Sequence, residues 1–202
     1  MTPPHPIAGV VFAGGSSRRM GRDKALIEID GEALLLRAAR KLMPRVNALW
    51  ISAGDGERYA PFGLPVIVDR EPNAGALWSL DTLLRTLIAP CEALPRGADR
   101  VLVSPCDTPD LPCDLLDRLL DAAKDPEIDA AICVDESSRL QPLIACYRPS
   151  AATPIAAAVK RGERRMCAAT QTLRVTEVPL GPKEHLVNLN TDEDLARYLA
   201  TR

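Results

Sequence analysis

The sequence predicts one α/β domain with a mostly parallel central sheet and helices on both faces. Several apolar runs are short and continuous rather than alternating, as expected of strands covered on both sides. Helical patterns separate them, and a strand–helix–strand order implies right-handed crossovers between parallel strands. The length of 202 residues, 47% of them hydrophobic and 26% charged, suits a single domain over 1–202 that buries a full core without disulfide or metal staples.

Four strands are predicted at residues 7–12 (IAGVVF), 48–52 (ALWIS), 65–69 (PVIVD) and 101–104 (VLVS). Between and after them, residues 33–43 and 77–88 carry apolar side chains at helical spacing, each ending before a proline. Residues 114–123 form a third helix after the proline-rich stretch 105–112. Residues 129–134 and 143–147 are two strands around the polar segment 135–139, where a mixed or antiparallel edge is expected. A helix at 151–161 and an alternating strand at 174–178 follow. The last helix starts after Thr191, an N-cap with Asp194 at the capping-box position.

Composition excludes several function classes. A net charge of -2 does not suit nucleic-acid backbone binding, and 3% aromatics are too few for base-stacking platforms. No apolar run reaches the roughly 20 residues of a membrane helix. The start, MTPPHPIAGVVFAGG, has no cationic segment before a short apolar stretch, so a cytoplasmic location is expected. Six scattered cysteines without a CxxC pair read as reduced thiols, and two histidines supply neither a triad nor a metal cluster well.

The most informative segment is VVFAGGSSRRMGRDK, residues 10–24. A strand runs into Ala13, Gly14 and Gly15, where the absence of Cβ at the glycines lets backbone approach a ligand at the carboxyl end of the sheet. Arg18, Arg19, Arg22 and Lys24 follow, opposed by Asp23 alone. Loop amides beside a cation cluster suit a triphosphate; the same residues also fit a strand-ending turn with a solvated basic loop. The spacing is neither GxGxxG nor GxxxxGK[ST].

Asp107 lies just past the 101–104 strand, on the same rim as Gly14 and Gly15. A lone carboxylate facing a polyphosphate suits Mg2+, which shares its coordination with phosphate oxygens and water; a turn or capping aspartate is the alternative. The adjacent Cys106 lacks a histidine partner and reads as a buried structural thiol. Asn188 and Asn190, two apart before the final helix, face one way and either reach a polar ligand or organise the turn.

These segments, in order over almost the whole chain, resemble the molybdenum cofactor guanylyltransferase (MobA) family of Rossmann-like nucleotidyltransferases. The family's L-x-G-G-x-x-x-R-M-G-x-D-K stands here from Phe12 to Lys24, changed only at its first position. P-C-D-x-P matches Pro105 to Pro109, Q-P-L matches Gln141, Pro142 and Leu143, G-E-R-R matches residues 162–165, and N-x-N-T-x-x-(D/E)-L matches residues 188–195. The resemblance implies Mg2+-dependent transfer of GMP from GTP to molybdopterin cofactor, with pyrophosphate released, and molybdoenzymes or other cofactor-biosynthesis proteins as partners. It implies nucleotide contacts from Phe12, Ala13, Gly14, Gly15, Lys24, Ser52, Asp69 and Asp107, catalytic roles for Arg19, Lys24 and Asp107, the metal on Asp107, and pterin contacts from Asn188 and Asn190. Two departures fall where base or ribose contacts are implied. Ser52 stands at the family's asparagine, and residues 71–75 (EPNAG) replace its G-P-L-x-G loop. A cytidylyltransferase for the same pterin usually shows Ala-Ala-Gly at the first loop, unlike Ala13-Gly14-Gly15. A sugar-phosphate nucleotidyltransferase shares the opening motif but not the later ones. A nucleotide-binding carrier without catalysis would have no need of both Lys24 and Asp107.

Overall fold

The structure, a computed structural model, describes residues 5–13, 21–54, 56–71, 74–94 and 96–201. Among these, a seven-stranded sheet has the order β5-β4-β1-β6-β8-β7-β9. Its strands are β1 (Ile7–Phe12), β4 (Ala48–Ala53), β5 (Val66–Val68), β6 (Arg100–Pro105), β7 (Ala130–Val134), β8 (Leu140–Tyr147) and β9 (Val175–Pro179). The strands β2 (Glu28–Ile29) and β3 (Glu32–Ala33) form a separate hairpin. Helices are α1 (Leu34–Leu42), α2 (Ala76–Leu87), α3 (Cys113–Ala122), α4 (Ala152–Lys160), α5 (Met166–Thr170) and α6 (Asp192–Ala200).

The mostly parallel sheet and its helices match the expectation from sequence, with each predicted element within a few residues of its place. The antiparallel strand does not. It was expected toward an edge; instead β8 lies inside the sheet, antiparallel to both β6 and β7, and the edge strand β9 runs parallel to β7. Burial explains the placement: Ile144 to Tyr147 are all buried, which an edge position would not provide. β8 also starts earlier than the apolar run, at Leu140. Its pairing with β7 jumps from Ala145 opposite Ile132 to Gln141 opposite Cys133, and Pro142 falls in that irregularity. A proline has no N–H for a ladder, so a bulge is where an interior strand tolerates it.

Two apolar layers sandwich the sheet. On one face, Val10, Phe12, Trp50 and Val103 pack with Leu77, Leu80, Leu83 and Leu84 of α2 and Ile155 of α4. On the other, Val11, Ile51, Leu102 and Cys146 pack with Leu35 and Leu42 of α1 and Leu115 and Leu119 of α3. The alternation of Val10 and Val11 between layers is the two-residue period of a strand buried on both sides.

A third, smaller cluster was not foreseen. Ile27, Ile29 and Leu34 pack against Leu189, Leu195 and Tyr198. The hairpin that supplies Ile29 turns at Asp30 and Gly31, both with positive φ (54° and 76°). Asp-Gly is the preferred pair for such a turn, so the signal was in the sequence. This cluster pins α6, and the segment before it, beside the turn that carries Lys24. Thr191 caps α6 as expected: its hydroxyl accepts from Asp194 N at 3.1 Å, and Asp194 returns a contact to Thr191 N at 2.9 Å.

The edge strand is tied by Asp129. Its carboxylate accepts from the Arg174 backbone N–H at 2.9 Å and from the guanidinium at 2.9 and 3.2 Å. The guanidinium contact holds the Asp129 pKa at about 2. The unfolded value is about 3.9, so this stabilisation is complete above pH 4 and fades as pH falls toward 2. Asp129→Asn is expected to lose about 2 kcal/mol at pH 7 and to flatten the pH dependence of stability in that window. Urea unfolding at pH 7, 4 and 2.5 measures both; equal curves for the two proteins would reject the role.

Candidate active site

The carboxyl ends of β1, β4, β5 and β6 converge on one rim, because these four strands are parallel and in close register. Phe12 pairs with Ser52 on one side and Pro105 on the other. Just past the rim, Ala13 N–H donates to Ser52 O at 2.9 Å and Cys106 N–H to Phe12 O at 3.1 Å. These bonds continue the ladder by one residue, so Ala13 and Cys106 start their loops from rigid positions.

Three predicted residues meet there. Lys24 Nζ lies 3.4 Å from Asp107 Oδ2 and donates to Asn190 Oδ1 at 2.7 Å. The Lys24 and Asp107 side chains are only 17% and 25% exposed, so their charges face each other under partial screening. The 188–190 segment reaches this point by a backbone bond, Leu189 N–H to Asp107 O at 2.9 Å, while Thr108 Oγ donates to Asn188 Oδ1 at 2.9 Å. Asn188 therefore braces the Asp107 loop, and Asn190 touches the lysine.

Gly14, Gly15, Arg18 and Arg19 lie outside the described residues. Arg22 is described and pairs with Asp192 at 2.8 Å. The Cys106 thiol is buried, and burial with nearby Asp107 and Asp23 pushes its pKa far up, so it is held protonated and unreactive.

A cavity of about 850 Å³ opens beside Asp107, lined by Asn188, Asn190, Arg139, Gln141, Pro142, Met166, Cys167 and Gln171 among others. Two segments picked out in the sequence thus arrive at it. Gln141 and Pro142 line it directly, and residues 162–165 lead into α5, which supplies Met166 and Cys167. Gln141 is oriented by Asp135, which accepts its amide N–H at 2.8 Å.

On the other side of the rim lie unpaired polar atoms. Ser52 Oγ, Asp69 Oδ1 and Trp78 Nε1 are buried and have no hydrogen-bond partner among the described residues. Ser52 is 1% exposed and shares its face of β4 with Trp50, the α2 side of the sheet. Asp69 follows β5 and is anchored by its N–H to Ala53 O at 3.0 Å. Burial raises its carboxyl pKa, and the Ser79 hydroxyl of α2 opposes this. Trp78 sits in the first turn of α2, whose N-cap Gly75 has φ 96° and gives no side-chain cap. Buried polar groups left unpaired cost about 1–3 kcal/mol each, so several together call for a polar ligand. Trp78 was not singled out from sequence; no spacing rule marks a tryptophan in a helix as polar in function.

A Mg2+ ion fits the donor set. Among the described residues no group of three or more His, Cys, Asp or Glu forms a protein cage. Asp107 offers a carboxylate beside the cation Lys24 on the rim, and Mg2+ typically takes one or two carboxylates with phosphates and water completing the shell.

The family model of the MobA-like NTP transferase domain matches residues 9–175. A relative named molybdenum cofactor guanylyltransferase from Shewanella putrefaciens is 32% identical over 199 residues, covering 96% of this chain and 97% of its own. One of the same name from Cereibacter sphaeroides is 35% identical over 191 residues, covering 94% and 93%. Among solved structures, the molybdopterin-guanine dinucleotide biosynthesis protein A from Archaeoglobus fulgidus superposes with a TM-score of 0.77 at 22% identity, over 96% of this chain and 98% of that one. That structure supports the fold.

Proposed function

Because the chain belongs to the MobA-like NTP transferase family, we propose that it transfers GMP from GTP to molybdopterin cofactor and releases pyrophosphate. The observation that carries this reading is the Lys24, Asp107 and Asn190 cluster. It stands between the unpaired polar atoms at β4, β5 and α2 and the cavity at β8 and α5. Donor nucleotide on the first side and acceptor phosphate on the second would bring the attacking oxygen and the α-phosphorus together at the cluster. The acceptor phosphate attacks in line and pyrophosphate leaves, with no covalent enzyme intermediate.

The residues' work is positioning and charge. Lys24, held by two acceptors, presents its ammonium to the phosphates. Asp107 would hold Mg2+, which supplies positive charge to phosphate oxygens. Backbone amides past Phe12 and Ala13, with Gly14 and Gly15, would receive the triphosphate; Arg19 would add a further cation. Asn188 and Asn190 would border the pterin side. The same reading places the protein in the cytoplasm, delivering product toward molybdoenzymes.

The base is taken from the relatives, which are named molybdenum cofactor guanylyltransferases. GTP with Mg2+ is therefore expected to raise the melting temperature more than CTP or ATP at equal concentration. Pyrophosphate is expected from GTP only when the pterin is supplied. An equal shift and equal turnover with CTP would transfer the assignment to a cytidylyltransferase; binding without turnover would leave a nucleotide-binding carrier.

A further inference from the structure

We propose that Tyr59 is a positioning residue: its buried hydroxyl ties the end of β1 to Asp23 and thereby aims Lys24 at Asp107 and Asn190. Tyr59 lies in a short 3-10 helix, Glu57–Phe62, that follows β4. It is 3% exposed, its ring packed in the α1 and α3 layer of the core. Its hydroxyl donates to Asp23 Oδ2 at 2.7 Å and lies 3.0 Å from Ala13 O. Asp23 Oδ2 also accepts from Arg58 at 2.9 Å, and Asp23 Oδ1 accepts from Ala25 N–H at 3.0 Å.

The consequence is geometric. Asp23 immediately precedes Lys24 and caps the 3-10 turn Lys24–Leu26. With both carboxylate oxygens engaged, the backbone from Asp23 to Ala25 has little freedom, and the direction of the Lys24 side chain follows. Tyr59 fixes that carboxylate to the rigid end of the central strand. A phenylalanine would fill the core equally well without burying a hydroxyl and a carboxylate together, which is costly unless the pair fixes a geometry. Burial and the Asp23 charge both push the phenol pKa up, so the group stays a neutral donor at working pH. Arg58 on the solvent side shares the Asp23 oxygen; it neutralises the carboxylate but is too exposed to define its orientation.

The test uses the whole protein and begins without substrate. Tyr59→Phe, Asp23→Asn and the double variant are treated with an amine-acylating reagent at pH 8, and labelling of each lysine is followed by peptide mass spectrometry. Wild-type Lys24 is held by two acceptors and should label slowly. In each variant its rate should rise several-fold, roughly three to tenfold, with the exposed Lys160 and Lys183 unchanged. The double variant should match the faster single, because both remove one link. The kinetic arm rests on the proposed function: kcat for pyrophosphate release should fall about tenfold while KM for GTP moves less than about threefold. Unchanged Lys24 labelling in a folded Tyr59→Phe overturns the proposal and leaves Tyr59 a packing residue, whatever its melting temperature. Should Tyr59→Phe not fold, Asp23→Asn decides by the same readout. Faster labelling with no detectable turnover in any protein, wild type included, supports the positioning role and counts against the transferase reading alone.

Discussion

Asp107→Asn is expected to lower turnover by roughly 100-fold or more while leaving the fold intact. The substitution keeps the side-chain volume but removes the negative charge proposed to hold Mg2+. It also ends the charge pairing with Lys24 Nζ, now 3.4 Å away. The structure explains why folding should survive. The bond that docks the 188–190 segment comes from Leu189 N–H to the Asp107 backbone oxygen, not to its carboxylate. The neighbouring Thr108 hydroxyl still reaches Asn188. The β6 strand leading to Asp107 is buried and paired on both sides. The measurements are kcat at saturating GTP and Mg2+, a Mg2+ titration, and thermal unfolding. A variant with full kcat and an unaltered Mg2+ requirement would overturn the metal assignment. A variant with greatly lowered melting temperature would show the carboxylate to be structural instead.

Lys24→Met should cost on the order of 2–4 kcal/mol in the barrier, read as a fall in kcat at saturating nucleotide. Methionine keeps most of the stem and removes the ammonium. From sequence, Lys24 looks like an exposed loop cation with little bearing on folding. The structure places it differently: 17% exposed, with two acceptors. Its removal leaves Asn190 Oδ1 without this donor and Asp107 without its cation, so some stability is lost too, about 1 kcal/mol. The catalytic loss should far exceed that. Two measurements separate the terms: the melting temperature without ligand, and kcat at GTP concentrations well above KM. Equal kcat would reject a role for the ammonium in stabilising the departing pyrophosphate.

Much of the site was legible because its motifs follow strands. Asp107 comes just after the VLVS run and Ala13 just after IAGVVF, so both had to emerge on the carboxyl rim of a parallel sheet. The asparagines were legible as a pair but not in their separate parts. One accepts from Thr108 and the other from Lys24, with the bond from Leu189 N–H to Asp107 O holding the segment between them. Ser52 falls at the end of its strand as expected, one residue before the end of β4, but that its hydroxyl is buried and faces α2 is not visible in the sequence. Tyr59 and Trp78 carried no signal, since an aromatic residue in a helix reads as core.

The sequence by itself determined the α/β class, the strand and helix order, and the rim from which the chemistry is expected. Apolar runs and proline stops act over a few residues, and their alternation calls for a sheet covered by helices on both faces. Only the tertiary structure decided that β8 runs antiparallel inside the sheet, that a satellite cluster of Ile27, Ile29, Leu34, Leu189, Leu195 and Tyr198 brings α6 to the site, and that one tyrosine hydroxyl links Ala13 with Asp23. These contacts join residues 36 to 46 positions apart at Tyr59 and 166 apart between Lys24 and Asn190. Hydrogen bonds and ion pairs over such separations exist only after the core has set the elements side by side, so no local pattern can announce them.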